Sequence, residues 1–176
     1  MADAFSLIRS LIGSPRQARL STQRFDDELI QMESCDGLLK IIEHKSNNLN
    51  YSVIYPDVTD DIIKNTYLWV VRENDAVHAA ENCDFGQRLG NGRIKHTNLT
   101  GGHPAFCAGE LLWADNRRVL ISGCSGRYGP RNSTELQSAA VAFTNAGYSV
   151  WSTGYDEGTG FCFKFGASIP IEVVAL

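Results

Sequence analysis

Apolar residues follow helical spacing near the start of the chain. The positions from Phe5 to Ile12 predict a short amphipathic helix over residues 3–12, which Gly13 ends. Similar spacing predicts a second helix over residues 23–33. Three arginines in this part of the chain are expected to form a solvated basic face: Arg16, Arg19 and Arg24.

After residue 37 the apolar positions begin to alternate, and β-branched and aromatic residues become frequent. Two hairpins are predicted because alternating segments flank Asn74-Asp75 and residues 114–116, which are typical of tight turns. We expect a short helix or turn over 57–65, and loops elsewhere between strands. The predicted strands cover residues 38–46, 51–55, 67–74, 76–82, 93–99, 105–114, 117–123, 148–155, 160–166 and 169–176.

The clearest helix follows residue 131. Asn132 is suited to cap its start, and Glu135 stands at the third helical position, the spacing of a reciprocal capping box. Apolar residues from Leu136 to Phe143 recur at helical spacing, and Gly147 is expected to end the helix. In the strand predicted over 160–166, alternation places three aromatic side chains on one face that we expect to be core: Phe161, Phe163 and Phe165.

These elements predict an α+β fold. Strands outnumber helices and most are joined by hairpins, which favours a mainly antiparallel or mixed sheet. One C-terminal helix should pack on that sheet, and short helices should precede it. The chain is therefore predicted to consist of an N-terminal helical segment, residues 1–35, and an α+β domain, residues 36–176.

Composition narrows the classes of function. The chain has 176 residues, of which 43% are hydrophobic, enough for a core without disulfides. A net charge of −4 disfavours binding to extended nucleic acid. Five widely spaced cysteines and the lack of an N-terminal signal pattern predict a reducing, cytoplasmic compartment, although export by a route that needs no signal would leave no trace. No membrane association is expected.

Residues of the types found in catalytic and binding sites are concentrated between His96 and Arg131. Gly101-Gly102 could bring bare backbone amides close to a ligand, although the pair taken alone is better explained by an ordinary tight turn. The loop 124–132 leads into the start of the capped helix, where anions are attracted. Four side chains could therefore hold phosphate or carboxylate there, unless the segment is only a strand-to-helix connection: Ser125, Arg127, Tyr128 and Arg131.

Glu110 interrupts an otherwise apolar strand and either faces solvent or lines a cavity. In a cavity its pKa would rise and the carboxyl could transfer protons. We expect His96 to be its partner, because a predicted strand end is a rigid position, whereas His103 fits a turn. Tyr128 is expected to orient the substrate.

Metal and cysteine chemistry are weaker alternatives. Cysteines and histidines are present, but their spacings match no zinc motif, so neither a metal nor a cofactor is predicted. Cys107 could act as a nucleophile with His96 or His103, although a cysteine within a strand is more often inert core. The sequence assigns no role to Cys124.

Four short motifs occur in a fixed order: His96-Thr97-x-Leu99, Gly101-Gly102, Ala108-Gly109-Glu110 and Ser125-Gly126-Arg127-Tyr128-x-Pro130. Together they resemble a module of bacterial polymorphic-toxin and effector C-termini, and the core of plant proteins of the IQM type. Arg127 stands where many relatives have histidine, and no IQ motif is present, so calmodulin binding is not implied. The resemblance implies an effector-like setting.

The leading hypothesis is an effector- or toxin-like enzyme acting on a phosphate-bearing substrate: a nucleotide, NAD or RNA. Glu110 and His96 would exchange protons while Arg127 stabilises charge, as in a phosphodiesterase, a nuclease or an ADP-ribosyl transferase-like enzyme. The acidic net charge favours a small nucleotide over long RNA. The alternatives are a non-catalytic module that binds an anionic small molecule or a protein partner, and a structural or immunity-type partner protein.

Overall fold

The computed structural model describes residues 3–20, 24–43, 52 and 59–175. Two short 3₁₀ turns, Ser34–Asp36 and Ile41–Glu43, flank the first strand. The helices are α1 (Ser6–Ile12), α2 (Asp60–Lys64), α3 (Asp84–Gln87), α4 (His96–Thr100) and α5 (Ser133–Asn145). The strands are β1 (Leu39–Lys40), β2 (Tyr67–Val71), β3 (Ala76–Ala80), β4 (Cys107–Trp113), β5 (Arg118–Ser122), β6 (Ser149–Ser152), β7 (Tyr155–Asp156), β8 (Phe161–Cys162) and β9 (Ile171–Val173).

Seven strands form one mixed sheet in the order β1-β3-β2-β4-β5-β6-β9. Only β5 and β6 are parallel, and α5 connects them, as a parallel crossover requires. The other pairs in this sheet are antiparallel, and β7 and β8 form a separate two-stranded ribbon. The predicted α+β class is therefore confirmed.

The two faces of the sheet are covered differently. Helices α1 and α5 cover one face, where Phe143 of α5 meets the ring of Trp69 edge-on at 5.6 Å. The other face is covered by α3, α4 and irregular segments, with Met32 and Leu99 among its buried side chains. The second face, which short segments cover, also contains a cavity.

The two predicted hairpins and the long helix are confirmed. Strand β2 pairs with β3 and β4 pairs with β5. The side chain of Asn132 accepts a hydrogen bond from the Glu135 amide at 2.9 Å, so the predicted cap is present. The capping box is incomplete, because the Glu135 carboxylate accepts instead from the Arg131 amide and the Arg16 guanidinium.

The second predicted helix is wrong within its described part, residues 24–33, which forms turns and extended chain. Its internal backbone hydrogen bonds form turns, from the Glu28 amide to the Phe25 carbonyl and from the Ile30 amide to the Asp27 carbonyl, and other backbone groups bind α4. The Asn98 side-chain amide donates to the carbonyls of Asp27 and Ile30, and the Met32 amide donates to the Asn98 carbonyl. The segment is thus held against α4, and Met32 is fully buried there.

The strand predicted over residues 93–99 is also wrong, because this segment contains α4. The side chain of Asn98 accepts a hydrogen bond from the Lys95 amide, which stabilises the start of the helix. Gly101 ends it in the left-handed conformation, at φ 63°. His96 therefore lies at a helix start and not at a strand end. Residues 84–87, expected to be loop, form the short helix α3.

Two further predictions differ from the structure. Phe161 is 74% exposed, and Phe163 and Phe165 are only partly buried, so this alternating aromatic face is not core. The strand predicted over 38–46 is limited to β1 in its described part and then turns into a 3₁₀ segment. Residues 44–46 of that strand lie outside the described residues, as does the strand predicted over 51–55 except Ser52.

Candidate functional site

A cavity of about 290 Å³ opens on the sheet face opposite α1 and α5. Strands β2 and β4 form its floor, and the start of α4 and the loop after β5 form its walls. An aromatic residue from the N-terminal segment completes the wall. The lining residues are Phe25, Leu68, Glu81, Ile94, Lys95, His96, Glu110, Cys124, Ser125, Gly126 and Arg127.

Glu110 projects from the middle of β4, next to Leu68 on one neighbouring strand and Ser122 on the other. It is partly exposed, and within the described chain no ion pair or hydrogen bond engages its carboxylate. Burial, together with the nearby charge of Glu81, raises the pKa of Glu110 to about 7, against the opposing effect of Lys164. This carboxyl can hold or release a proton near neutral pH.

His96 is buried and fixed by a single strong contact. Its Nε2 lies 2.8 Å from the carbonyl oxygen of Gly109 on β4. Since a carbonyl can only accept, Nε2 carries the proton and Nδ1 of the neutral ring is the basic nitrogen. Burial lowers the pKa of His96 to about 4, and the charges of Lys95 and Arg127 act in the same direction. The ring is therefore neutral at pH 7.

Gly109 leaves room for the Trp69 ring, which lies on the face of β4 opposite α4. A side chain at this position would begin 2.0 Å from the Ser122 carbonyl oxygen and 2.8 Å from the ring of Trp69. Only glycine fits beside them. Glu110 and the acceptor for His96 thus come from adjacent residues of one rigid strand, which fixes both groups relative to each other.

Glu81 and Lys95 also line the cavity, although they were not predicted as site residues. Glu81 follows β3, and burial raises its pKa while Arg93 and Lys95 oppose the shift. Lys95 lies with its Nζ 5.1 Å from the centre of the Phe25 ring. Alternation along β3 would have placed Glu81 on the face of Ala79, which is the signal that could have identified it.

Arg127 reaches the cavity wall but does not form the free anion-binding fork that was expected. Its guanidinium donates to Glu28 Oε2 at 2.8 Å and to the Arg19 carbonyl at 3.1 Å. The Glu28 side chain is fully buried, so the pair is largely shielded from water. Much of the positive charge of Arg127 is therefore already compensated within the protein.

Tyr128, Gly101 and Gly102 lie away from the cavity, so their predicted roles need correction. Tyr128 is buried, and its hydroxyl is held at 2.9 Å from both Thr100 Oγ1 and the His103 carbonyl. The two glycines end α4 and pack against side chains of the 24–33 segment. Tyr128 joins the loop after β5 to α4, and none of the three residues lines the cavity.

Ser125 lies in the cavity wall as predicted, whereas Arg131 does not. The Ser125 hydroxyl oxygen accepts hydrogen bonds from the amides of Arg127 and Tyr128. Arg131 is exposed, and its backbone amide donates to Glu135 at the start of α5. The predicted anion site at this helix start is occupied by the protein's own carboxylate.

The cysteines and His103 add no nucleophile or metal site to this cavity. Cys107 is fully buried on the opposite face, and burial raises the pKa of its thiol, which argues against a nucleophilic role. Cys124 is in the cavity wall, and burial raises its thiol pKa as well. All five cysteines are free, and among the described residues no cluster of three or more metal-ligating side chains occurs. His103 is exposed in its turn.

In the cavity, four of the predicted residues come together: His96, Glu110, Ser125 and Arg127. Comparison with known protein families, curated proteins and solved structures finds no match to this chain. No helix in the described ranges is long and apolar enough to cross a membrane. A function must therefore be inferred from the cavity's own residues.

Proposed function

We propose that this cavity is the active site of an enzyme that transfers protons at a small phosphate-bearing substrate, such as a nucleotide or NAD. The observation that carries the proposal is the position of Glu110. Its carboxylate forms no ion pair with any residue that the structure describes, in a cavity that a second carboxylate and a neutral imidazole also line. Structural glutamates that are removed from water are normally paired, so an unpaired one in a cavity favours catalysis.

The charges in the cavity favour reaction at a sugar carbon over reaction at phosphorus. Glu81 and Glu110 would repel a phosphate but would stabilise the positive charge that develops on a sugar when its bond to a base breaks. Of the two cations in the lining, Arg127 is already paired with Glu28, and Lys95 lies over the Phe25 ring. An ADP-ribosyl transferase-like or glycohydrolase reaction therefore fits better than a nuclease reaction.

For a substrate such as NAD, each bond and proton can be followed. The bond from the sugar carbon to the pyridinium nitrogen breaks, and its electron pair leaves with the neutral base. Water or another hydroxyl acceptor forms the new bond to that carbon and gives up a proton. In this proposal the carboxylate of Glu110 accepts the proton, and the carboxylate of Glu81 stabilises the sugar cation. A volume of about 290 Å³ suits a nucleoside-sized group and is too small for folded RNA.

The test is product analysis by mass spectrometry after incubation with NAD, nucleotides and nucleosides. Wild-type protein should release a base from at least one of them. Glu110→Gln should lower the rate by about 10²–10⁴-fold, the usual contribution of general acid–base catalysis. Glu172→Gln is the matched control, because Glu172 is an exposed glutamate on β9, and it should leave the rate unchanged.

Two results would overturn the proposal. One is an equal rate for Glu110→Gln and the wild type. The other is a ligand that binds in the cavity and is recovered chemically unchanged after long incubation, which is the result that a non-catalytic binding module predicts.

A further inference from the structure

A second cavity, of about 400 Å³, shares a wall with the first. Residues 124–126 of the loop after β5 line both, so we call the first the inner cavity and this one the outer cavity. The outer cavity is lined, besides the shared loop, by the following residues: Arg19, Gly123, Gly129, Pro130, Gly160, Phe161, Cys162 and Lys164.

The two cavities differ in charge. The ionisable side chains that face the outer cavity, apart from two thiols, are both cations, Arg19 and Lys164. The inner cavity is lined by charges of both signs: Glu81, Glu110, Lys95 and Arg127. Both outer cations are exposed, and neither forms an ion pair with any residue that the structure describes. The field of Lys164 reaches Glu110, so the two cavities are electrostatically connected.

The shared wall offers a hydrogen-bond donor. Ser125 Oγ accepts two backbone N–H bonds, at 3.2 and 3.1 Å, and no described residue accepts a bond from its hydroxyl hydrogen. That hydrogen remains available to a ligand oxygen. Gly126, next along the wall, is exposed and has no side chain, so a ligand could pass over bare backbone from one cavity to the other.

Phe161 adds an aromatic surface to the outer cavity. Its ring is 74% exposed at the start of β8, although the alternation of the strand suggested a core position. A large exposed aromatic at the edge of a cavity provides a flat surface for stacking, and nucleotide bases use such surfaces. The outer cavity thus combines two cations, a hydroxyl donor and an aromatic ring.

We propose that the inner and outer cavities form one two-part site for a nucleotide, with the phosphate in the outer cavity between Arg19 and Lys164. Ser125 donates a hydrogen bond to a phosphate oxygen, and a nucleotide base stacks on the ring of Phe161. The sugar lies over Gly126 and enters the inner cavity toward Glu110. The role of the inner half rests on the proposed function, whereas the binding of phosphate in the outer half does not.

The experiment is calorimetric binding of adenosine, AMP and inorganic phosphate to the whole chain. AMP should bind at least about tenfold more tightly than adenosine, because a charged hydrogen bond contributes about 1.5–3 kcal/mol. Lys164→Gln and Arg19→Gln should each remove about tenfold of AMP affinity and leave adenosine affinity unchanged. Lys64→Gln, a substitution on the exposed surface of α2, is the matched control and should alter neither.

Gly126→Leu tests whether one ligand spans both cavities. A Cβ at Gly126 meets no atom within 4 Å and the backbone is not left-handed, so the variant should fold. Its side chain should obstruct the passage, weakening AMP binding at least about tenfold while inorganic phosphate binds as before. Equal loss of phosphate binding would instead show a simple anion pocket and would overturn the two-part site.

Equal affinities for AMP and adenosine would also overturn this inference, as would Lys164→Gln and Arg19→Gln variants that bind AMP like the wild type. These outcomes are separate from the test of catalysis. Failure of Glu110→Gln to slow a reaction would remove the acid–base role but would leave the phosphate-binding result intact.

Discussion

Two largely buried glutamates in this protein have opposite environments. Glu110, on the floor of the inner cavity, has no partner among the described residues, and burial with the nearby charge of Glu81 raises its pKa to about 7. Glu135, at the start of α5, is also removed from water, which alone would raise its pKa. The hydrogen bonds from Arg16 and from the Arg131 amide outweigh that effect and lower the pKa of Glu135.

The comparison distinguishes a charged side chain that stabilises the fold from one that is available for catalysis. The loop and helix start around Arg131 contain the residue types of an anion site, but the protein fills that position with its own Glu135. The cavity around Glu110 is also lined by cations, Lys95 and Arg127, but the Glu110 carboxylate forms no ion pair with a described residue. Residue type therefore indicates where charges gather, and only the presence or absence of a partner indicates which of them is available for a substrate.

The largest expected effect comes from breaking the most deeply buried pair. Arg127→Ala would leave the fully buried carboxylate of Glu28 without its counter-charge. We expect a loss of about 3–5 kcal/mol in the free energy of unfolding, measured by urea denaturation. Arg88→Ala, which removes an arginine that is 67% exposed from its pair with Asp36, should cost less than about 1 kcal/mol. Equal losses would show that Arg127 and Glu28 are not effectively buried.

Replacing Glu110 should stabilise the protein at high pH. The folded state favours the protonated carboxyl, since its pKa rises from the ordinary 4.5 to about 7, so stability falls as pH rises between those values. At pH 8, Glu110→Gln should be more stable than the wild type by about 3 kcal/mol, and at pH 4 the two should be equal. Urea denaturation at both pH values measures this, with Glu172→Gln as the control. A destabilised variant at pH 8 would contradict it.

Replacing Glu135 should have the opposite sign. Its pKa is lowered in the folded state, so its stabilising contribution is present above pH 4.5 and is lost as pH falls through the folded pKa. Glu135→Gln should lose about 2 kcal/mol of unfolding free energy at pH 7, the scale of charged hydrogen bonds. This difference should shrink below pH 4. If both glutamate variants change stability in the same direction at pH 8, the contrast between the two environments is wrong.

The smallest expected effect concerns His96, whose ring should remain neutral through the physiological range. With a pKa of about 4, it should show no change in charge between pH 5.5 and 8. Nitrogen-15 NMR should show the proton on Nε2 throughout, because that atom donates to the Gly109 carbonyl. Stability that depends on the neutral ring should be lost only as pH falls from 6.5 toward 4. A titration centred between 6 and 7 would contradict this.

Local patterns were sufficient to predict the hairpins, the long helix and its Asn132 cap. The interruption of an apolar strand also identified Glu110, because alternation determines which face a strand residue occupies. His96 was selected as a site residue for the wrong reason, since it lies at the start of α4 and not at a strand end. Here the cap by Asn98 and the left-handed Gly101 outweighed strand propensity.

The parts of the site that were not predicted depend on contacts between residues that are far apart in the sequence. Arg127 and Glu28 are separated by 99 positions, and no local pattern indicates that they pair. Glu81 joins the cavity through the register of β3, β2 and β4, which is a property of the assembled sheet. Phe25 enters the wall because the segment around it binds α4 instead of forming its own helix.

The walls of the inner cavity come from widely separated parts of the chain, from Phe25 near the beginning to Arg127, and those of the outer cavity extend to Lys164. A ribosome exposes these parts in sequence. During synthesis, Lys164 emerges after every residue that lines the inner cavity, so the proposed phosphate-binding half of the site would be completed last. A partly made chain would therefore lack the cation that helps to retain a nucleotide.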